Sequence, residues 1–269
     1  MKILFTDLDG TLLNNKSTVS RKTKSFLDRF ILSGNKLVLS SGRPLKSILE
    51  IKEQAGLSYP GIFVIAYNGT LIYDCDSQKP VLEKRMPLSY VSYLQEQAKA
   101  LRLHIHTYIG DAVVSSSEDE EIRYYRQKIH LPLILAKDYA SVLTEEPFKM
   151  LAIDLHERER LMAFSDAISG WAADKVRSIF SNDHYLELFV KDAGKGNAVH
   201  FVCNHFGVPV SDVYAAGDAE NDISMLEAAG CGIAMANASP KVKEAADVIS
   251  GLDNDNDGLA LFMQSILFS

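Results

Sequence analysis

Met1-Lys2-Ile3-Leu4-Phe5-Thr6-Asp7-Leu8-Asp9-Gly10-Thr11-Leu12-Leu13 is the stretch on which the fold turns. Ile3–Phe5 is an apolar run without polar alternation, which predicts a strand buried on both faces, as in a parallel sheet covered by helices. Two carboxylates, Asp7 and Asp9, follow at once, and Gly10 lets the backbone turn sharply behind them. Asp-Gly in an arbitrary loop is explained by a capped turn. At the end of an apolar first strand it means more, because ligands of open α/β sheets bind outside the carboxyl ends of the strands.

Working outward, the same alternation of short β-rich runs and helical stripes continues. Ser20 reads as an N-cap, Phe26, Leu27, Phe30 and Ile31 form an apolar helical stripe, and Gly34 fits the stop. Lys36–Ser40 reads as a second strand, Pro44 opens a helix ending near Gly56, and Ile62–Ala66 is a third apolar run. Asn68-Gly69 before Leu71–Tyr73 predicts a hairpin with a two-residue turn. From Leu82 to Tyr185 the pattern changes: alternating strands such as His104–Tyr108 and Ala112–Ser116 mix with charged amphipathic helices. Leu186–Val190 (LELFV) then reads as a return to the buried sheet. Val199, Val202, Cys203 and Phe206 form a helical stripe, Val213–Ala216 a strand, Ile223–Ala229 a helix and Cys231–Ala234 a further strand. The expected fold class is α/β: a Rossmann-like parallel sheet core, 1–81 and 186–269, interrupted by an inserted α+β domain, 82–185.

Composition narrows the partners. The 269 residues are 47% hydrophobic and 23% charged, and 28 Lys and Arg stand against 35 Asp and Glu, a formal charge of -7. Such a chain is a poor candidate for non-specific binding to nucleic acid or anionic membranes, which leaves room for a local basic pocket. No run of about 18 apolar residues is present, so no membrane span is expected. The first residues are too acidic and the apolar run too short for a signal peptide. Cys75, Cys203 and Cys231 are odd in number and far apart, which gives neither a disulfide framework nor a metal clip and points to a reducing cytoplasm. The expected state is a monomer or weak homo-oligomer acting on a small molecule.

Four stretches could carry chemistry. Asp7 could serve as a covalent nucleophile toward phosphorus, with the second carboxyl handling protons. In Ser40-Ser41-Gly42-Arg43-Pro44, a hydroxyl and backbone N–H groups at a helix start could cradle a phosphate, although an ordinary N-cap turn has the same letters. Gly217-Asp218-Ala219-Glu220-Asn221-Asp222 offers hard oxygen ligands suited to Mg²⁺, and Asp222 could equally cap the next helix. Lys195, between Gly194 and Gly196, places a cation at a loop-to-helix junction, where a solvated surface lysine is the plain alternative.

In this order, DLDGTLL, SSGR, YNG, GKG and GDAEND resemble the haloacid dehalogenase (HAD) superfamily, and more closely its Cof-type sugar-phosphatase-like branch with a large C2-type cap. The resemblance implies that Asp7 is the nucleophile and Asp9 the general acid/base. It further implies that Ser41, Gly42 and Lys195 bind phosphate, that Asn221 supports phosphate or metal, and that Asp222 orders its loop. Mg²⁺ would be held by Asp7, Asp218 and the backbone carbonyl of Asp9. The implied activity is Mg²⁺-dependent hydrolysis of small phosphorylated metabolites, sugar phosphates first, through an aspartyl-phosphate. Ser40-Ser41-Gly42 departs from the usual Ala-Thr-Gly but keeps the hydroxyl. A phosphomutase, or a non-catalytic phosphosugar-binding regulator, would use the same core. A receiver domain would need a phosphorylatable Asp in the central strand, and KLVLSSGR has none.

Other signals are weaker. Asp253-Asn254-Asp255-Asn256-Asp257-Gly258 opens like a calcium loop, but its twelfth position is Gln264, so a polar loop capping the last helix is expected. His104 and His106 share a strand face and could bind metal, but no third ligand is expected nearby, so a cap-surface or substrate-contact role is expected of them. His200 and His205 do not share a helix face; Arg123, Tyr124 and Tyr125 could contact substrate in the cap, and amphipathic packing explains them as well.

Overall fold

The computed structural model describes residues 1–267. The chain runs β1 (Ile3–Thr6), α1 (Arg21–Leu32), β2 (Lys36–Ser40), α2 (Leu45–Gln54), β3 (Phe63–Ala66), β4 (Leu71–Asp74) and β5 (Lys79–Glu83). There follow α3 (Leu88–Ala100), β6 (His104–Ile109), β7 (Ala112–Ser115), α4 (Glu120–Lys128), β8 (Leu133–Leu135), β9 (Met150–Ile153), α5 (Arg158–Ala172), β10 (Val176–Asn182) and β11 (Tyr185–Val190). The last part is α6 (Lys195–Phe206), β12 (Val213–Gly217), α7 (Ile223–Ala228), β13 (Cys231–Ala234), α8 (Pro240–Ala245), β14 (Val248–Ile249) and α9 (Gly258–Leu267). These elements form two compact units, Met1–Leu82 with Gly194–Ser269, and Glu83–Ala193. Among the described residues no helix is long and apolar enough to cross a membrane.

The first unit is α/β. Its sheet has the order β14-β13-β12-β1-β2-β3-β4-β5. β1 pairs in parallel with β12 on one side and β2 on the other. All four residues of β1 are buried, and Ile3 and Phe5 share a core with Val199, Val202 and Val213. The chain winds one way from β1 through β2 and β3 and the other way through β12, β13 and β14. The crevice beyond the carboxyl end of β1 is therefore the topological switch point where such sheets bind ligands. α1 starts where expected, with the Ser20 hydroxyl accepting the Thr23 N–H at 3.0 Å. Asp257 accepts from the Ser20 and Thr23 hydroxyls, so the calcium-like loop ties the last helix to α1.

The β3–β4 hairpin forms, and its connection is longer than the two residues expected. β3 and β4 pair antiparallel with Ala66 opposite Leu71, leaving Tyr67, Asn68, Gly69 and Thr70 outside the ladder. Tyr67, Asn68 and Gly69 all have positive φ, at 49°, 59° and 94°. Asn-Gly was informative because both residues tolerate that region. The loop takes extra residues because its backbone is bonded elsewhere: Tyr67 N–H donates to Arg43 O and Asn68 N–H to Ser41 O.

The second unit is α+β, with a sheet in the order β10-β11-β9-β6-β7-β8. LELFV belongs to this sheet, as β11, and pairs antiparallel with β9 and β10; the expectation that it rejoins the parallel sheet is corrected here. The strand imitates a parallel-sheet strand because it is buried along its whole length. Leu186, Leu188 and Val190 pack in one core with Leu94 of α3 and Phe164 of α5. Glu187 is buried as well because Lys149 donates to it. A carboxylate in the middle of an apolar run is tolerated only with such a partner.

Candidate active site

Each expected motif leaves the sheet or opens a helix at the same edge of the first unit. Asp7 follows β1 directly and its N–H donates to Ala216 O at 2.9 Å, extending the β1–β12 ladder by one residue. The turn behind it closes through Gly10, at φ +80°. A Cβ on Gly10 would lie 2.3 Å from Asp218 Oδ2, so the position admits only glycine if Asp218 is to stay. Thr11 Oγ1 donates to Asp218 Oδ1 at 2.7 Å.

Lys195 opens α6 and is buried, against the surface-lysine alternative. Its Nζ donates to Asp7 Oδ1 at 2.5 Å, to Asp222 Oδ1 at 2.5 Å and to Ser40 O at 3.4 Å. Asp222 Oδ2 accepts the backbone N–H groups of Asp218 and Ala219, each at 3.1 Å. Asp222 thus holds both the lysine and the loop that carries Asp218.

The charges do not balance. Oxygens of Asp7, Asp218 and Asp222 lie within 4.8 Å of one another, and Lys195 is the cation bonded to Asp7 and Asp222. Burial, then the nearby Asp222, pushes the Asp7 carboxyl well above the usual carboxylate range, although Lys195 pulls the other way. Burial and Asp222 push Asp218 up to about 7, against the hydrogen bond from Thr11. Burial works against the charge on Lys195, but Asp222 and Asp7 outweigh it and hold the ammonium above its ordinary value. Two hard, under-neutralised carboxylates facing one another suit a small divalent cation bound through oxygen. Both oxygens of Asp222 are already engaged, so the residues that fit such an ion are Asp7 and Asp218.

A family model described as haloacid dehalogenase-like hydrolase matches residues 4–263. The chain belongs to that family. It is an enzyme of the HAD hydrolase class, and the Cof-type motif order stands with this match. A solved HAD-like hydrolase from Bacteroides thetaiotaomicron is 30% identical, with a TM-score of 0.87 over 99% of each chain. Phosphatase YwpJ from Bacillus subtilis is 28% identical over 293 residues, covering 99% of this chain and 100% of that one. The solved HAD subclass IIB sugar phosphatase BT4131, at 21% identity and a TM-score of 0.85, shares the fold.

Within this HAD core, Asp7, Lys195, Asp218 and Asp222 come together. Asp9 turns outward instead: Arg43 Nε and Nη2 each donate to one of its carboxylate oxygens at 2.7 Å, and its side chain is half exposed. Ser41 is buried, and its Oγ accepts the Arg43 N–H at 3.1 Å, an ST turn that leaves the hydroxyl proton to donate elsewhere. Gly42 lies between the two. Asn221 is buried and its Nδ2 donates to Asn68 Oδ1 at 2.9 Å. Arg43, Asn68 and Thr11 are residues of this constellation that the motif reading quoted without assigning. Arg43 stands in SSGR, but its bidentate partner is 34 positions away and invisible to spacing. Asn68 was spent on the hairpin.

In the inserted unit, the expectation that His104 lacks further metal-type neighbours is corrected. His104, Asp119 and Glu121 place donor atoms within 4.8 Å of one another. The His104 ring nitrogens lie 2.9 Å from Asp119 Oδ2 and 3.0 Å from His106 Nδ1. His106 Nε2 is 3.2 Å from the Tyr108 hydroxyl, which is 2.6 Å from that of Tyr125. Asp119 comes from the start of α4, fifteen positions beyond His104, where strand periodicity gives no sign of it.

Proposed function

We propose that this enzyme is an Mg²⁺-dependent phosphatase of small phosphorylated metabolites, with sugar phosphates as the leading class. The observation that carries the reading is Asp7: a buried carboxylate at the switch point, with Lys195 Nζ at 2.5 Å and Asp218 across from it. Phosphoryl transfer needs positioning and cationic stabilisation more than covalent assistance, and this is what the cluster supplies. Asp7 and Asp218, with the Asp9 backbone carbonyl, would hold Mg²⁺. Bound there, the ion would neutralise charge on the phosphoryl oxygens.

The chain's own groups then account for the steps. An Asp7 oxygen attacks phosphorus in line, the bond from phosphorus to the sugar oxygen breaks, and Asp9 gives that oxygen a proton. Water then attacks the phosphorus of the aspartyl-phosphate, Asp9 takes the water's proton, and phosphate leaves with Asp7 restored. Arg43 holds both Asp9 oxygens in the present arrangement, so Asp9 must leave that fork to reach the leaving group. Lys195 steadies the transferring group, with Ser41 and the Gly42 backbone as further phosphate donors and Asn221 beside them. Leaving-group selection is assigned to the inserted unit, 83–193, as a cap; the names of the relatives, a phosphatase and a sugar phosphatase, support only the phosphatase class.

The test is phosphate release from hexose, pentose, triose and nucleotide phosphates, with Mg²⁺ and with EDTA. Turnover should require Mg²⁺ and vanish in Asp7→Asn. Turnover indifferent to both EDTA and that substitution overturns the mechanism. An isomerised sugar phosphate without free phosphate overturns hydrolysis in favour of a mutase.

A further inference from the structure

Asn68 lies at the junction of the three loops that carry the expected phosphate and metal residues. Its N–H donates to Ser41 O at 3.1 Å, and its Oδ1 accepts Asn221 Nδ2 at 2.9 Å. The next residue, Gly69, presses against the Gly194–Lys195 peptide so closely that a Cβ there would lie 2.4 Å from Gly194 O. Asn68 itself is 1% exposed and sits at φ 59°, ψ 30°, the left-handed region. A non-glycine residue fixed in that conformation at a functional site costs free energy that the surroundings must offset.

One feature of this residue is unexplained by packing. Asn68 Nδ2 is buried and has no hydrogen-bond partner among the described residues. Leaving a buried amide donor unmade is among the less tolerated conditions in a folded protein, and each native case calls for a cause. Asn221 could have been held by a simple acceptor. An amide adds two N–H bonds beside Ser41 and Asn221, which are read as phosphate ligands, and one residue before Gly69, which abuts the Gly194–Lys195 peptide. An anion with several acceptor oxygens, arriving with its own metal cation, satisfies such a donor; a further protein carboxylate would accept it too but would add to the excess of carboxylates already in the cluster.

Building on the phosphatase reading, we propose that Asn68 is a phosphoryl ligand: Nδ2 donates to a non-bridging oxygen of the transferring group, while Oδ1 keeps Asn221 in place. The amide has almost no exposed surface, so the ligand oxygen reaches it as the cradle relaxes around the anion. Lys195, now on Asp7, is the side chain that has most reason to turn toward the incoming phosphate.

The experiment uses the full chain. Asn68→Gly suits the left-handed backbone and removes the donor; Asn221→Ala and the double variant complete a cycle. Loss of one donor to developing oxyanion charge lowers kcat/KM by about 10²-fold. The expected result is that Asn68→Gly weakens competitive inhibition by orthophosphate and that the double variant falls well below Asn221→Ala alone. A double variant equal to Asn221→Ala overturns the proposal, leaving Asn68 as a positioning residue for Asn221. A direct readout is the Asn68 side-chain amide signal in ¹⁵N spectra, assigned by its disappearance in Asn68→Gly. It should shift when wild-type protein binds orthophosphate with Mg²⁺, and an unmoved signal at saturation overturns the proposal. A wild-type enzyme that releases no phosphate would overturn the phosphatase reading instead, while the amide signal would still decide on Asn68.

Discussion

Gly10 and Gly34 provide a matched pair for testing whether the position of Asp218 limits catalysis. Both have nearly the same positive φ, +80° and +81°. An alanine at either site pays the same left-handed cost, about 1–2 kcal/mol. Their surroundings differ completely. A Cβ at Gly34 meets nothing within 4 Å, whereas at Gly10 it lies 2.3, 2.7 and 2.9 Å from Asp218 Oδ2, Cγ and Oδ1. Asp218 must then retreat by roughly 1 Å, and a misplacement of that size in a catalytic constellation costs on the order of 10²-fold. Retreat also breaks the 2.7 Å bond from Thr11. Urea unfolding and steady-state phosphate release under saturating Mg²⁺ separate the two effects. Gly34→Ala should lose about 1–2 kcal/mol of stability and keep its turnover. Gly10→Ala should lose at least that stability and, in addition, about 10²-fold in kcat/KM. Equal activity in the two variants would show that the Asp218 carboxylate is not held where the chemistry needs it, and the assignment of that residue would fall.

Two further outcomes follow from buried charges. Lys195→Met strands Asp7 and Asp222 without their cation, and breaking a buried pair costs about 3–5 kcal/mol; urea unfolding should show that loss with phosphate release abolished, and a variant of wild-type stability would refute the pairing. His106 is buried neutral, its pKa well below 6.5 through burial first, then His104 and Lys149, so below about pH 6.5 the unfolded chain binds a proton that the folded chain refuses. Stability should therefore fall with acid by up to about 1.4 kcal/mol per pH unit until the folded pKa is reached, and urea midpoints at pH 7 and 5.5 should draw closer together in His106→Gln. Asp119, held at about 2 with its His104 and Ser117 hydrogen bonds outweighing burial, titrates outside that window.

The core was legible because its signals are local. An apolar strand, two acids and a glycine occupy adjacent positions, and β1 in the centre of the sheet converts that adjacency into a site at the switch point. Lys195 was legible only through motif order, since nothing about a lysine between two glycines says that it will be fully buried; the cause is Asp7 and Asp222, 188 and 27 positions away. LELFV misled because complete burial is shared by parallel strands and by antiparallel strands with a helical layer on one face and a buried ion pair on the other. Its Glu187 was the contrary sign, interpretable only once Lys149 is beside it. The hairpin length failed for a related reason: the turn obeys not only its Asn-Gly letters but the carbonyls of Ser41 and Arg43, which bind its backbone.

The same distinction separates what holds the site from what uses it. Asp222 has both carboxylate oxygens engaged, by Lys195 and by two backbone N–H groups, so it holds its neighbours in place. Asp7 and Asp218 are the opposite: Asp7 is buried and Asp218 half-buried, and both are raised in pKa and under-neutralised, a condition that costs the fold stability. A cation that binds only the folded chain would offset that cost by mass action. Asn68 presents the complementary deficit, a donor without an acceptor beside carboxylates without enough cations. Opposite deficits in one cluster are what a cation and a phosphoryl group bound together would cancel. Neither ligand alone would cancel both, which is the physical ground for proposing a metal and a phosphoryl site together.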